Sequence, residues 1–90
     1  MADYQFKLIK HREKTIKGLH LKYSLLKTEN IISRHSIYSV RIDATQNGVS
    51  EYKLAFDISR NLIIATNIFN ILVRNTVTPC TLFDILEDIL

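Results

Sequence analysis

Residues 38–58 read Tyr38-Ser39-Val40-Arg41-Ile42-Asp43-Ala44-Thr45-Gln46-Asn47-Gly48-Val49-Ser50-Glu51-Tyr52-Lys53-Leu54-Ala55-Phe56-Asp57-Ile58. Before Asn47-Gly48, Tyr38, Val40 and Ile42 alternate with Ser39, Arg41 and Asp43. After it, Tyr52, Leu54, Phe56 and Ile58 alternate with Glu51, Lys53 and Asp57. A period of two is the signature of a strand with one buried face. Asn-Gly suits the positive φ angles of a type I′ turn, so the stretch predicts a β-hairpin. The apolar phase of each strand is assigned to the core and the polar phase to an open face.

Toward the N-terminus the same period returns. Leu19, Leu21, Tyr23 and Leu25 alternate with His20, Lys22 and Ser24, and Tyr4, Phe6 and Leu8 alternate with Gln5 and Lys7. These predict a strand from Leu19 and another over Asp3–Lys10, with a short helix over residues 3–13 as the alternative. His11 to Gly18 reads as a charged turn and Thr28 to Ser36 as a connector.

Beyond Ile58 the period changes. Ser59 is a candidate N-cap, and Arg60 to Asn75 reads as a helix. Thr78 can cap a second helix over Pro79–Leu90, with Pro79 at the first helical position and Val77 and Leu82 spaced as a hydrophobic staple. The predicted fold is α+β: an antiparallel sheet of about four strands followed by two C-terminal helices packed on one face, as one domain over residues 1–90.

The two helices differ in their faces. Asp84, Glu87 and Asp88 occupy one side of the second, opposite Leu82, Phe83, Ile85, Leu86, Ile89 and Leu90. The first is apolar around half its circumference or more, beyond an ordinary core-facing stripe. That excess must be covered by the second helix or by another subunit. Ile63, Ile64, Ile68, Ile71, Ile89 and Leu90 are therefore the candidate self-association surface, with a two-fold dimer as the expected arrangement.

Composition narrows the class. One cysteine in 90 residues permits no intramolecular disulfide, which suits a reducing compartment. Met1 to Lys10 has no apolar core of a signal peptide, and apolar runs reach only four residues, as in Leu62 to Ala65. A cytoplasmic protein without a membrane span is expected. Residues 1–35 carry eight Lys/Arg and three Asp/Glu, a balance of +5; residues 36–90 carry four and six, a balance of −2. Lys7, Lys22, Arg41 and Lys53 fall on the polar phase of four different strands. They form the candidate face for nucleic acid or another acidic partner, offset by Asp43, Glu51 and Asp57 and lacking aromatic platforms for stacked bases.

The residues of catalysis are not assembled. His11, His20 and His35 lack the spacing of a helical zinc pair. Cys80 stands near a helix start but has Asp84 one turn away and no histidine near it in sequence. Asp84, Glu87 and Asp88 read as a solvated helix face rather than as ligands for a hard cation. Gly18 and Gly48 cannot build a phosphate-cradling loop, and there is no GxSxG. No catalytic residue, metal ligand, cofactor or small-molecule substrate is identified.

Three segments carry a family resemblance: Ser36-Ile37-Tyr38-Ser39-Val40-Arg41-Ile42, then Asp57-Ile58-Ser59, then Val77-Thr78-Pro79-Cys80-Thr81-Leu82-Phe83-Asp84-Ile85-Leu86. In this order they resemble a domain-of-unknown-function family, number 6514, of small proteins from clostridia-like Gram-positive bacteria. The resemblance covers residues 19–90. Thr81 and Tyr38 depart from its pattern, which often has histidine and glycine there. It implies a bacterial cytoplasmic protein with strands preceding helices, and no activity. The functional expectation is a non-catalytic, self-associating interaction or regulatory module whose partner is a second copy or another protein. The alternative is a nucleic-acid binder using the basic face or the His11–Lys17 turn.

Overall fold

The computed structural model describes residues 4–30 and 32–90. The chain runs β1 (Tyr4–Ile16), β2 (Leu19–Asn30), β3 (Ser36–Gln46), β4 (Val49–Ser59), α1 (Leu62–Arg74), a single 3-10 turn (Pro79–Thr81) and α2 (Leu82–Ile89). The strands form one antiparallel sheet in the order β1-β2-β3-β4. This is the α+β architecture that the alternating pattern predicts, with both helices at the C-terminal end. No helix among the described residues is long and apolar enough to cross a membrane.

Two-residue turns close both outer hairpins. Asn47 and Gly48 have φ of 53° and 78°, the positive pair that Asn-Gly favours. Lys17 and Gly18 have φ of 51° and 82° and make the same kind of turn. The expected charged turn over His11–Gly18 therefore shrinks to two residues, and His11–Ile16 continues β1. The helical alternative for residues 3–13 gives way to strand from Tyr4 onward; Asp3 lies outside the described residues.

The cap of α1 falls two residues beyond the expected Ser59. Asn61 Oδ1 accepts from the Ile64 amide at 3.1 Å, while Ser59 Oγ accepts from the Asn61 amide at 3.0 Å. Asparagine is as good a cap as serine, and Ser59 is held as the last residue of β4. Val77 and Leu82 are both buried beside the Thr78–Pro79 boundary, as a staple requires. The first turn after that boundary is 3-10, so α2 itself begins at Leu82.

The core is made by the helix-side residues of the two central strands. Leu21, Tyr23 and Leu25 of β2 lie beside Val40, Ile42 and Ala44 of β3. Ala65, Ile68, Phe69 and Leu72 of α1 and Leu82 and Leu86 of α2 close over them. Tyr23 is fully buried, and its hydroxyl donates to the Val77 carbonyl at 2.9 Å, fastening the segment between the helices to the sheet.

Burial pushes the Tyr23 phenol up to about 12. A folded-state value above the unfolded one means that this contribution is complete below pH ~10 and is lost as pH rises toward about 12, because only the unfolded chain ionises readily. Tyr23→Phe should lower stability by about 1–2 kcal/mol near neutral pH, since it leaves the Val77 carbonyl without its partner. It should also remove this part of the alkaline loss. Urea unfolding from pH 7 to 11 measures both effects.

Candidate functional site

The outer strands present their largest side chains, Phe6 of β1 and Tyr52 and Phe56 of β4, on the face away from the helices. Residues directly opposite in an antiparallel pair share a face, so the register identifies the members of each side. On the helix side the rows are Lys10–Leu25–Val40–Ala55, Arg12–Tyr23–Ile42–Lys53 and Lys14–Leu21–Ala44–Glu51. On the open side they are Phe6–Thr28–Ile37, Leu8–Leu26–Ser39, His11–Ser24–Arg41–Leu54, Glu13–Lys22–Asp43–Tyr52 and Thr15–His20–Thr45–Ser50. The central strands point apolar residues at the helices, whereas β4 and the first part of β1 point theirs away.

This corrects the expected core phase of β1 and β4. Phe6 and Phe56 are 71% and 60% exposed, and Leu8, Tyr52 and Leu54 are exposed with them. On β4 it is Ala55 that faces inward, buried beneath the cover that α2 and the preceding turn give that strand. A methyl group lets that cover come close where a leucine or aromatic ring would hold it away. Between Ala55 and Ser59 the β4 register shifts, Asp57 takes φ 56°, and Ile58 turns into the core. The Asp57 amide donates to the buried Ser39 hydroxyl at 3.0 Å, which holds the shift. On β1 the irregularity between Leu8 and Lys10 turns Ile9 toward the core.

The same register breaks up the expected basic face. Lys22 and Arg41 lie on the open side, but Lys7 and Lys53 lie on the helix side, across from Lys27 and Ile42. Asp43 is on the open side, and Glu51 is on the helix side. Arg41 is bound by Asp43, with Nη2 2.9 Å from Oδ1, and its guanidinium stacks 4.0 Å from the centre of the Tyr52 ring. Lys53 Nζ lies 5.8 Å from the centre of the Phe83 ring.

The expected self-association surface is also divided. Ile68 is 6% exposed and belongs to the core, and Ile71 is half-buried. Ile63, 72% exposed, and Ile64 are open at the first turn of α1; Ile89 and Leu90 are exposed at the end of α2. Sequence periodicity overstated the uncovered part of α1, because the sheet takes Ala65, Ile68, Phe69 and Leu72.

Three groupings were invisible in the sequence spacing. His11 Nε2 and His20 Nε2 lie 3.0 and 2.8 Å from the two oxygens of Glu13, joined by the β1–β2 register. Each imidazole nitrogen is directed at the carboxylate rather than at a shared centre, and no metal-holding group of His, Cys, Asp and Glu occurs among the described residues. Cys80 is exposed, with Sγ 3.8 Å from Glu51 Oε1. A shallow apolar groove between β4 and α2 is lined by Ala55, Phe56, Asp57, Ile58, Phe83, Leu86, Glu87 and Leu90. Among the described residues, the titratable side chains that line it are the carboxylates Asp57 and Glu87.

The model of a family of unknown function, DUF6514, matches residues 5–90. The chain belongs to this family. The match spans the whole sheet beyond its first residue and both helices, so the open face and the helix-side edge of this DUF6514 chain lie within the family's domain. No curated protein and no solved structure matches the chain.

Divided burial on α1 has a direct test. Ile68→Ala should cost about 2–4 kcal/mol in chemical unfolding, because it opens a cavity under the helix. Ile63→Ala should change stability by no more than about 0.5 kcal/mol.

Proposed function

We propose that this DUF6514 chain is a non-catalytic interaction module that pairs with a second copy of itself through the open face of its sheet. The observation that carries this reading is the set of apolar side chains on the open side of all four strands, Phe6 and Leu8, Leu26, Ile37, then Leu54 and Phe56, grouped around the buried Thr28 and Ser39. It lies at the end of the sheet away from the two tight turns. A band of large apolar side chains left in water by the fold is the usual mark of a contact surface.

Area and charge favour a second copy as the occupant. Four strands at about 4.8 Å and eleven residues at about 3.3 Å give an open face of about 700 Å². That is close to the ~800 Å² per partner of a standard interface, so the face is large enough to hold one copy. The polar end of the face balances its own charge: Arg41 is neutralised by Asp43, and Lys22 stands across from Glu13. A copy brought against this face meets no net repulsion. An isologous contact of this kind requires a self-complementary patch, which an apolar band stacked on its own copy provides.

Static light scattering over a concentration series tests the reading. The expected result is a mass rising from 10.5 kDa toward twice that value as the concentration passes through the micromolar range. Leu8→Lys with Phe56→Lys should hold the mass at the monomer value with an unchanged circular dichroism spectrum. A parent chain that stays at the monomer mass up to millimolar concentration would overturn the proposal.

A further inference from the structure

The sequence asymmetry of charge becomes a spatial one on the helix side of the sheet. Lys10, Arg12 and Lys14 occupy successive helix-side positions of β1, the edge strand. Positions two apart on a strand recur every ~6.7 Å, so the three cations form a straight row. Beside the row runs the polar strip of α1. Asn67, Asn70 and Arg74 are spaced i, i+3, i+7 and share one side of that helix.

Two contacts fix the strip against the row. Lys10 Nζ donates to Asn70 Oδ1 at 3.4 Å. Lys14 Nζ donates to the Val73 carbonyl at 2.6 Å and to Thr76 Oγ1 at 2.8 Å, placing a cation at the negative end of the α1 dipole. Arg12 donates only to the neighbouring His11 carbonyl, and both Arg12 and Arg74 are exposed. Among the described residues none of the four cations is paired with a carboxylate. Glu13 points to the other face, Asp43 is bound to Arg41, Glu29 lies on the helix side of β2 but across from Gln5, five residues before Lys10, and Glu51, Asp57, Asp84, Glu87 and Asp88 belong to β4 and α2 at the opposite edge.

We propose that the Lys10–Arg12–Lys14 row of β1, with Arg74 of α1, binds the phosphate backbone of duplex nucleic acid without regard to sequence. A straight row of cations with no carboxylate partner among the described residues, beside neutral amide donors, matches a line of phosphates and their sugars. Phe6 of β1 lies on the face away from the row, so its ring does not stand among the cations to stack on unpaired bases or to enter a lipid surface. The site lies on the face opposite the open one, so it is independent of the pairing of two copies.

Fluorescence anisotropy with a labelled random-sequence DNA duplex measures the binding. With four phosphates neutralised, affinity should fall about 150-fold between 50 and 200 mM salt, from a slope of about −3.6. Arg12→Gln with Arg74→Gln leaves two of the four and keeps the Lys14 contact to α1. That pair should bind more weakly at 50 mM salt and lose only about 12-fold over the same range. Lys22→Gln with Lys53→Gln should bind as the parent does. The proposal is overturned by no binding to the duplex at 20 mM salt, by binding that does not weaken with salt, or by equal losses in the two double variants. Capture by vesicles containing phosphatidylserine in the absence of duplex binding would also overturn it, in favour of a membrane surface.

Discussion

Helical cover is the scarce quantity in this molecule. Strands of 11 to 13 residues extend about 36–43 Å, whereas α1 is about 20 Å long and α2 about 12 Å. Two such helices can exclude water from the middle of one sheet face and no more. The side chains under that cover are the alternating apolar residues of β2 and β3, fastened by the Tyr23 hydroxyl to the Val77 carbonyl. Everything else about the surface follows from what the cover leaves out.

The edge strands respond in two ways. Beside α1, β1 turns long cationic side chains toward the helix, where their stems lie along the edge of the core and their ends reach backbone and amide oxygens. Beneath α2, β4 turns its smallest apolar residue inward and its largest ones outward. Both edges thereby leave apolar groups on the open face: Phe6 and Leu8 on one side, Leu54 and Phe56 on the other. The two proposed contact surfaces, one apolar and one cationic, are two consequences of the same partial cover, and they lie on opposite faces of the sheet.

The sequence made the strand count, the Asn47-Gly48 turn, the order of strands before helices and the Val77–Leu82 staple legible, because each depends on local spacing or local backbone chemistry. It hid which face of β1 and β4 is inward. Alternation identifies two phases but does not say which is covered, and Tyr52, Leu54 and Phe56 look like core until Ala55 is seen opposite Val40. Irregularities at Ile9 and at Asp57 then change the phase within a strand, which a strict period of two cannot register. The grouping of His11 and His20 about Glu13, and of Lys10 and Lys14 with α1, depends on contacts between distant segments and has no signature in spacing.

On β4, Ala55 faces the helices and Leu54 the open side. Methyl-resolved NOE spectroscopy reads this directly. Cross-peaks are expected from the Ala55 methyl to Leu82 or Leu86 of α2, with no intramolecular cross-peaks from the Leu54 methyls to either helix. Leu54 cross-peaks to those α2 leucines, with Ala55 silent toward them, would contradict it.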